Sequence, residues 1–300
     1  MRYLLFIWVL SLNVICTQLY GQTIIDLENG GNVRSKNLRD YDKDKLVASK
    51  IAEKDSLKYV ECLTRGFNAL HTDSLKMART YFTEALALRP SAPGNYIIHK
   101  QLALIAEAEG DFHKASQQYT LILKQHPEFH DVRAARASAN LQLRHFKESI
   151  EDCDVLLKQT VTSVSRERLY FIRASAYMGQ RLLKEARQDF EQVSLLNPEN
   201  LNAPIMIALI LHDEGRMQEA LNRLNLHLQG HPENIEALLL RASFEEELQQ
   251  FSLARADYDQ AIVLAPERSE LYLLRACCLE SLGLKELARR DRLKAQSLRR

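Results

Sequence analysis

Pro198, Pro232 and Pro266 recur at a fixed interval of 34, and one more interval of the same size reaches Arg300, the last residue given. A fixed period of this length leaves few folds open. Each unit must be one supersecondary element that buries its apolar side against the next. Pro90, Pro127 and Pro198 are separated by 37 and 71, which are 34 plus 3 and twice 34 plus 3. Alignment on these prolines gives seven units, starting at Tyr59, Tyr96, His130, Glu167, Leu201, Ile235 and Ser269. The eighth residue of every unit is small: Gly66, Ala103, Ala137, Ala174, Ala208, Ala242 and Ala276. So is the twentieth: Ala78, Ala115, Ser149, Ala186, Ala220, Ala254 and Ala288. A large side chain usually follows four later, as in Phe82, Tyr119, Phe190, Leu224 and Tyr258.

The rhythm inside a unit is helical. Tyr258, Ala261, Ile262 and Ala265 keep the three-four spacing of one helix face. Only 10 Gly and 7 Pro accompany 46% hydrophobic and 26% charged residues, the balance of an all-helical chain. Small residues at positions 8 and 20 let two helices approach closely while large apolar neighbours fill the gaps. Gly110, Gly215 and Gly283 fall at position 15, where a turn between helices needs a left-handed residue. Proline at position 32 lies past the second helix, where it breaks no hydrogen bond.

This pattern resembles the tetratricopeptide repeat family, whose helix–turn–helix unit has the same period, with small residues at 8, 20 and 27 and proline at 32. The resemblance covers 59–300, or 242 of the 300 residues. It implies an all-α fold, a right-handed superhelical solenoid of seven helix pairs. Departures gather in the third unit, with Val161 in place of proline, Cys153 at position 24 and three extra residues within Thr160 to Ser165. We read these as a longer loop rather than a domain break. Arg289, Arg290, Arg292, Lys294, Arg299 and Arg300 make the last helix basic. They serve either as the polar outer face of an end repeat or as a docking face for an acidic surface.

Position 7, usually leucine in the family, is arginine in five units: Arg65, Arg136, Arg173, Arg241 and Arg275. Position 23 is aspartate in four of the same units, always at the same offset of 16: Asp152, Asp189, Asp257 and Asp291. Units two and five lack both, with Leu102 and Gln118, and Ile207 and Arg223. In a hairpin turning near position 15 the two positions face each other. The expectation is therefore four structural pairs within repeats, 136–152, 173–189, 241–257 and 275–291. An inter-repeat scheme fits less well, because it sets Arg223 beside Arg241. Arg65 faces Tyr81 and needs another partner. Recurrence in register marks a packing device rather than a phosphate site or catalytic cluster.

No motif for chemistry is present: no GxGxxG, P-loop, GxSxG, HExxH or CxxC. His126 and His130 flank Pro127 and Glu128 in a loop, not on a metal-binding helix. We expect a binding protein rather than an enzyme, with no catalytic, cofactor or metal residues. In the family, positions 2, 5, 9, 12 and 13 of the first helix line a concave groove. Unit one places Val60, Leu63, Phe67 and Leu70 there. Either a partner covers them or a helix formed by 42–58, carrying Leu46, Val47 and Ile51, does so. In units five to seven the groove positions hold Asp213, Glu236, Glu246, Glu247, Glu270 and Glu280. These acids suit a basic protein or peptide partner, or are simply a solvated helix face. A second class of function, carbohydrate handling at the envelope, would need exposed groove aromatics, and only Phe67 and Phe171 qualify. The carboxylate clamp of chaperone-binding repeats is missing its signature. Lys100 is the only lysine at position 5, Leu104 follows at position 9, and no unit has asparagine at 6.

The chain opens with MRYLLFIWVLSLNVICTQLYGQ, one positive charge before an apolar stretch too short to span a bilayer. It reads as a signal peptide, 1–21, with a lipoprotein signal through Cys16 as the alternative. Residues 22–41 are polar and read as a flexible tether. Residues 22–300 carry 39 basic and 39 acidic residues, the 40 basic ones less Arg2, which argues against nonspecific nucleic-acid binding. No later segment is apolar enough to cross a membrane. Cys62, Cys153, Cys277 and Cys278 are too few and too far apart for a disulfide framework, so we expect free thiols. The expected setting is the periplasm or envelope, with a secretory lumen as the alternative. A lumenal co-chaperone of this family would carry a J domain, yet no HPD tripeptide occurs. Oligomeric state is not legible.

Overall fold

A computed structural model describes residues 57–160 and 163–299. The segments read from the sequence as a signal peptide and a tether, and all but the end of the 42–58 segment, lie outside the described residues. Fourteen helices follow one another, with no strand among the described residues. Repeat one pairs α1 (Leu57–His71) with α2 (Leu75–Leu88), and repeat two pairs α3 (Asn95–Ala108) with α4 (Phe112–Gln125). Repeat three has α5 (His130–Gln142) and α6 (Phe146–Leu157), and repeat four α7 (Arg166–Gly179) and α8 (Leu183–Leu196). Then come α9 (Asn202–Asp213) with α10 (Met217–Gly230), α11 (Ile235–Glu247) with α12 (Phe251–Leu264), and α13 (Ser269–Ser281) with α14 (Lys285–Leu298).

One turn is repeated seven times. The residue at position 15 always has a positive φ: Gly110, Gly215 and Gly283 near +75°, and Asp73, Arg144, Arg181 and Gln249 near +60°. The next backbone N–H reaches back to the carbonyl five residues earlier. Ser74 N donates to Ala69 O at 2.8 Å, Arg216 N to Leu211 O at 2.8 Å, and Leu284 N to Leu279 O at 2.8 Å. This is a Schellman closure, which satisfies the orphan carbonyls at the end of each first helix. Glycine signals three of these turns in the sequence. The other four do not advertise themselves.

Positions 8 and 20 meet inside each hairpin, and the alanines there have no exposed surface. Ser149 is tolerated at this place because its hydroxyl donates to the Ala137 carbonyl at 2.9 Å. Gly66 is required by its neighbour: a Cβ there would stand 2.6 Å from Phe82. Phe67 packs edge-on against Phe82, ring centroids 5.2 Å apart, and Phe171 against Phe190 at 5.3 Å.

The chain divides into two compact units, the first ending at Ser165 and the second beginning at Arg166. Repeats one to three belong to the first and repeats four to seven to the second. The longer loop expected after repeat three thus falls on a boundary. Its cause is local: α6 has 12 residues where every other second helix has 14, and no proline ends it. Cys62, Cys153, Cys277 and Cys278 all carry free thiols.

Candidate functional site

The arginines at position 7 project from the first helix onto the second helix of their own repeat. Arg136 donates through Nε and Nη2 to the two oxygens of Asp152 at 2.8 and 2.7 Å. Arg173 grips Asp189 at 2.7 and 2.8 Å, Arg241 grips Asp257 at 2.8 and 2.6 Å, and Arg275 grips Asp291 at 2.7 Å twice. All four are bidentate, the geometry that suits a planar guanidinium to a carboxylate. The aspartates are buried. Hydrogen bonding to the aspartates raises Arg136, Arg241 and Arg275 above the ordinary guanidinium range, so the cations stay charged.

The third nitrogen does something sequence reasoning missed. Nη1 of Arg136 donates to Thr120 at 3.2 Å, that of Arg241 to Asn225 at 2.8 Å, and that of Arg275 to Asp259 at 2.7 Å. These acceptors occupy position 25 of the preceding repeat, as far before the arginine in sequence as the aspartate lies after it. One side chain therefore ties three helices together. The signal was available, since position 25 is polar in all three cases.

Repeats without the pair improvise. In repeat two Gln118 meets His99, at position 4, at 2.7 Å. Arg223 of repeat five turns to Ser194 at 3.4 Å. Arg65 pairs with Glu61 at 2.6 Å and covers the Tyr81 ring at 5.9 Å.

The six groove acids are not bare. Asp213 lies 3.4 Å from Arg181, Glu236 3.7 Å from Arg268, and Glu270 2.8 Å from Arg268. Glu280 pairs with Arg292 at 2.8 Å. Glu247 meets His212 Nε2 at 2.8 Å, and the His212 ring stacks on Phe244 with centroids 4.6 Å apart. Glu246 is half-buried. Burial pushes its carboxyl above the usual range, against hydrogen bonds to Cys278 and Tyr258. Four of the six are thus exposed or part-exposed carboxylates with a resident arginine, Glu247 has the His212 ring, and Glu246 is half-buried. The two aromatic candidates are corrected: Phe67 is 1% and Phe171 2% exposed. Both are hairpin core, because their rings are needed to fill the space beside Phe82 and Phe190.

Among the described residues no group of three or more His, Cys, Asp or Glu side chains is arranged to hold a metal ion. No described helix is long and apolar enough to cross a membrane.

A family model for the tetratricopeptide repeat matches residues 100–160 and 173–235. These hairpins are tetratricopeptide repeats. Among solved structures, a tetratricopeptide repeat protein from Parabacteroides merdae ATCC 43184 is similar with a TM-score of 0.64 at 22% identity. The match covers 81% of this chain and 94% of that one. Pseudomonas aeruginosa pilF is similar with a TM-score of 0.53 at 18% identity, over 76% of this chain and 94% of its own. Human DnaJ homolog subfamily C member 7 is 27% identical over 166 residues, 51% of this chain. The chain spans about a third of the length of that relative, 33%. A tetratricopeptide scaffold of this kind is suited to protein–protein interaction.

Proposed function

We propose that this tetratricopeptide protein is an exported scaffold of the periplasm or envelope, which holds a basic segment of a protein partner along the first helices of repeats five to seven. The observation that carries the reading is the row of acids with exchangeable counter-ions. Asp213, Glu236, Glu270 and Glu280 sit at groove positions beside arginines of this chain, and Glu247 sits beside His212. The Arg181 and Arg268 pairs are solvent-exposed. An exposed pair contributes at most about 1 kcal/mol, so an arriving lysine or arginine can displace the resident cation at little cost. A groove of this type attracts a basic segment by complementarity while remaining soluble without it. Export is supported by the signal-like segment 1–21. A carbohydrate-handling role loses its support, because Phe67 and Phe171 offer no open ring face.

Two measurements test the proposal. A labelled lysine- and arginine-rich peptide should bind the mature chain with salt-dependent affinity, and Glu247→Lys with Glu280→Lys should weaken it about tenfold or more. Equal binding by wild type and double variant would remove the groove assignment. Fractionation of cells expressing the full chain, with and without Cys16→Ser, separates release from lipid anchoring. Retention in the cytoplasm would refute export.

A further inference from the structure

The sixth repeat encloses a carboxyl for which the surrounding repeats provide no partner. Repeat three shows how a polar side chain at this place is satisfied. Asn140, at position 11, accepts a hydrogen bond from Ser116, position 21 of the preceding repeat, at 2.7 Å. In repeat six, position 11 is Glu245, while position 21 of repeat five is the buried Leu221. Glu245 is 8% exposed, and its Oε2 is buried without a hydrogen bond. Arg241 stands one turn earlier on α11, but its nitrogens already serve Asp257 and Asn225. Position 11 in repeats five and seven is simply leucine, Leu211 and Leu279.

We propose that Glu245 makes the seam between repeats five and six proton-dependent, tight while the carboxyl is protonated and loosened when it ionises. The charges acting on it are Asp257, on α12, and Arg241, on its own helix, with Glu246 its neighbour in the chain. From repeat five, α10 offers Leu221 and the neutral Asn225; α9 carries no charge from Ala203 to Leu211, and the next residue, His212, stacks on Phe244 and meets Glu247. Burial first, then the Asp257 charge, push the Glu245 carboxyl up from 4.5 to about 7, with Arg241 opposing. An acid raised in the folded state is neutral in both folded and unfolded chains below its unfolded value, so no penalty exists there. Between about 4.5 and 7 the unfolded chain ionises first, and stability falls as pH rises. Above that window the loss is complete.

The test is hydrogen exchange of the full mature chain between pH 5 and 8, expressed as protection factors so that intrinsic exchange cancels. A Glu246→Gln background silences the neighbouring carboxyl. Amides of α9 to α11 should lose protection about tenfold or more across this range. Glu245→Gln should flatten the profile, and Glu245→Leu, copying repeats five and seven, should flatten it while raising protection at pH 8. A slope retained in both variants, or absent from the parent, would overturn the proposal.

Discussion

Single residues carry two consequences that can be measured. At position 15 the turn demands a left-handed backbone, which costs an L-residue about 1–2 kcal/mol and glycine almost nothing. Arg144 and Arg181 meet that demand with φ near +60°. Arg144→Gly should therefore stabilise the chain by about 0.5–1 kcal/mol after the extra entropy of glycine in the unfolded state is deducted. Gly215→Ala should lose a similar amount; urea unfolding reads both. Cysteine reactivity is the second. Burial and the Glu246 carboxyl push the Cys278 thiol up to about 12, and burial raises Cys62 as well. Thiolate, not thiol, reacts with alkylating agents. Mass spectrometry after brief alkylation at pH 8 should find the half-exposed Cys277 labelled first, and Cys278 labelled only on unfolding.

At the scale of elements, the ladder of arginines shows how one side chain can define a repeat boundary. Arg275 holds Asp291 within its hairpin and Asp259 in the preceding one. Removing one member of a buried pair strands the other's charge, whereas replacing both can be nearly neutral. Arg275→Leu should cost about 2–4 kcal/mol, discounted from the fully buried case because the guanidinium is partly exposed. Arg275→Leu with Asp291→Gln copies the Leu102 and Gln118 of repeat two and should recover most of that loss. A double variant as unstable as the single one would refute the account. The pairing was legible in the sequence because one offset recurs in four units, and periodicity filters chance. The link to position 25 was harder to read, since Thr120, Asn225 and Asp259 share polarity but not chemistry. Groove exposure was hardest. Register places Phe67 and Phe171 on the first helix, but whether a ring turns outward depends on the volume left beside Phe82 and Phe190.

For the molecule as a whole, the period foretold the helices while the stack has a boundary that the period alone conceals. Seven units in one register imply a continuous series, yet compactness divides at Ser165. The local markers were visible as Val161 and the inserted residues; what the sequence did not display was the shortened α6. In a repeat protein, stability is a sum of hairpin terms and neighbour terms, so cooperativity ends wherever a neighbour term is small. Three or more stacked repeats are generally enough to fold alone. Residues 166–300 supply four, with alanines or buried large side chains at every hairpin centre, as in Ala174 with Phe190 and Ala242 with Tyr258. A fragment beginning at Arg166 should thus be helical by circular dichroism and unfold cooperatively in urea. The full chain should unfold in two steps, one of them coinciding with the fragment's. A single transition for the full chain, together with an unfolded fragment, would mean that the seven repeats stand or fall as one unit.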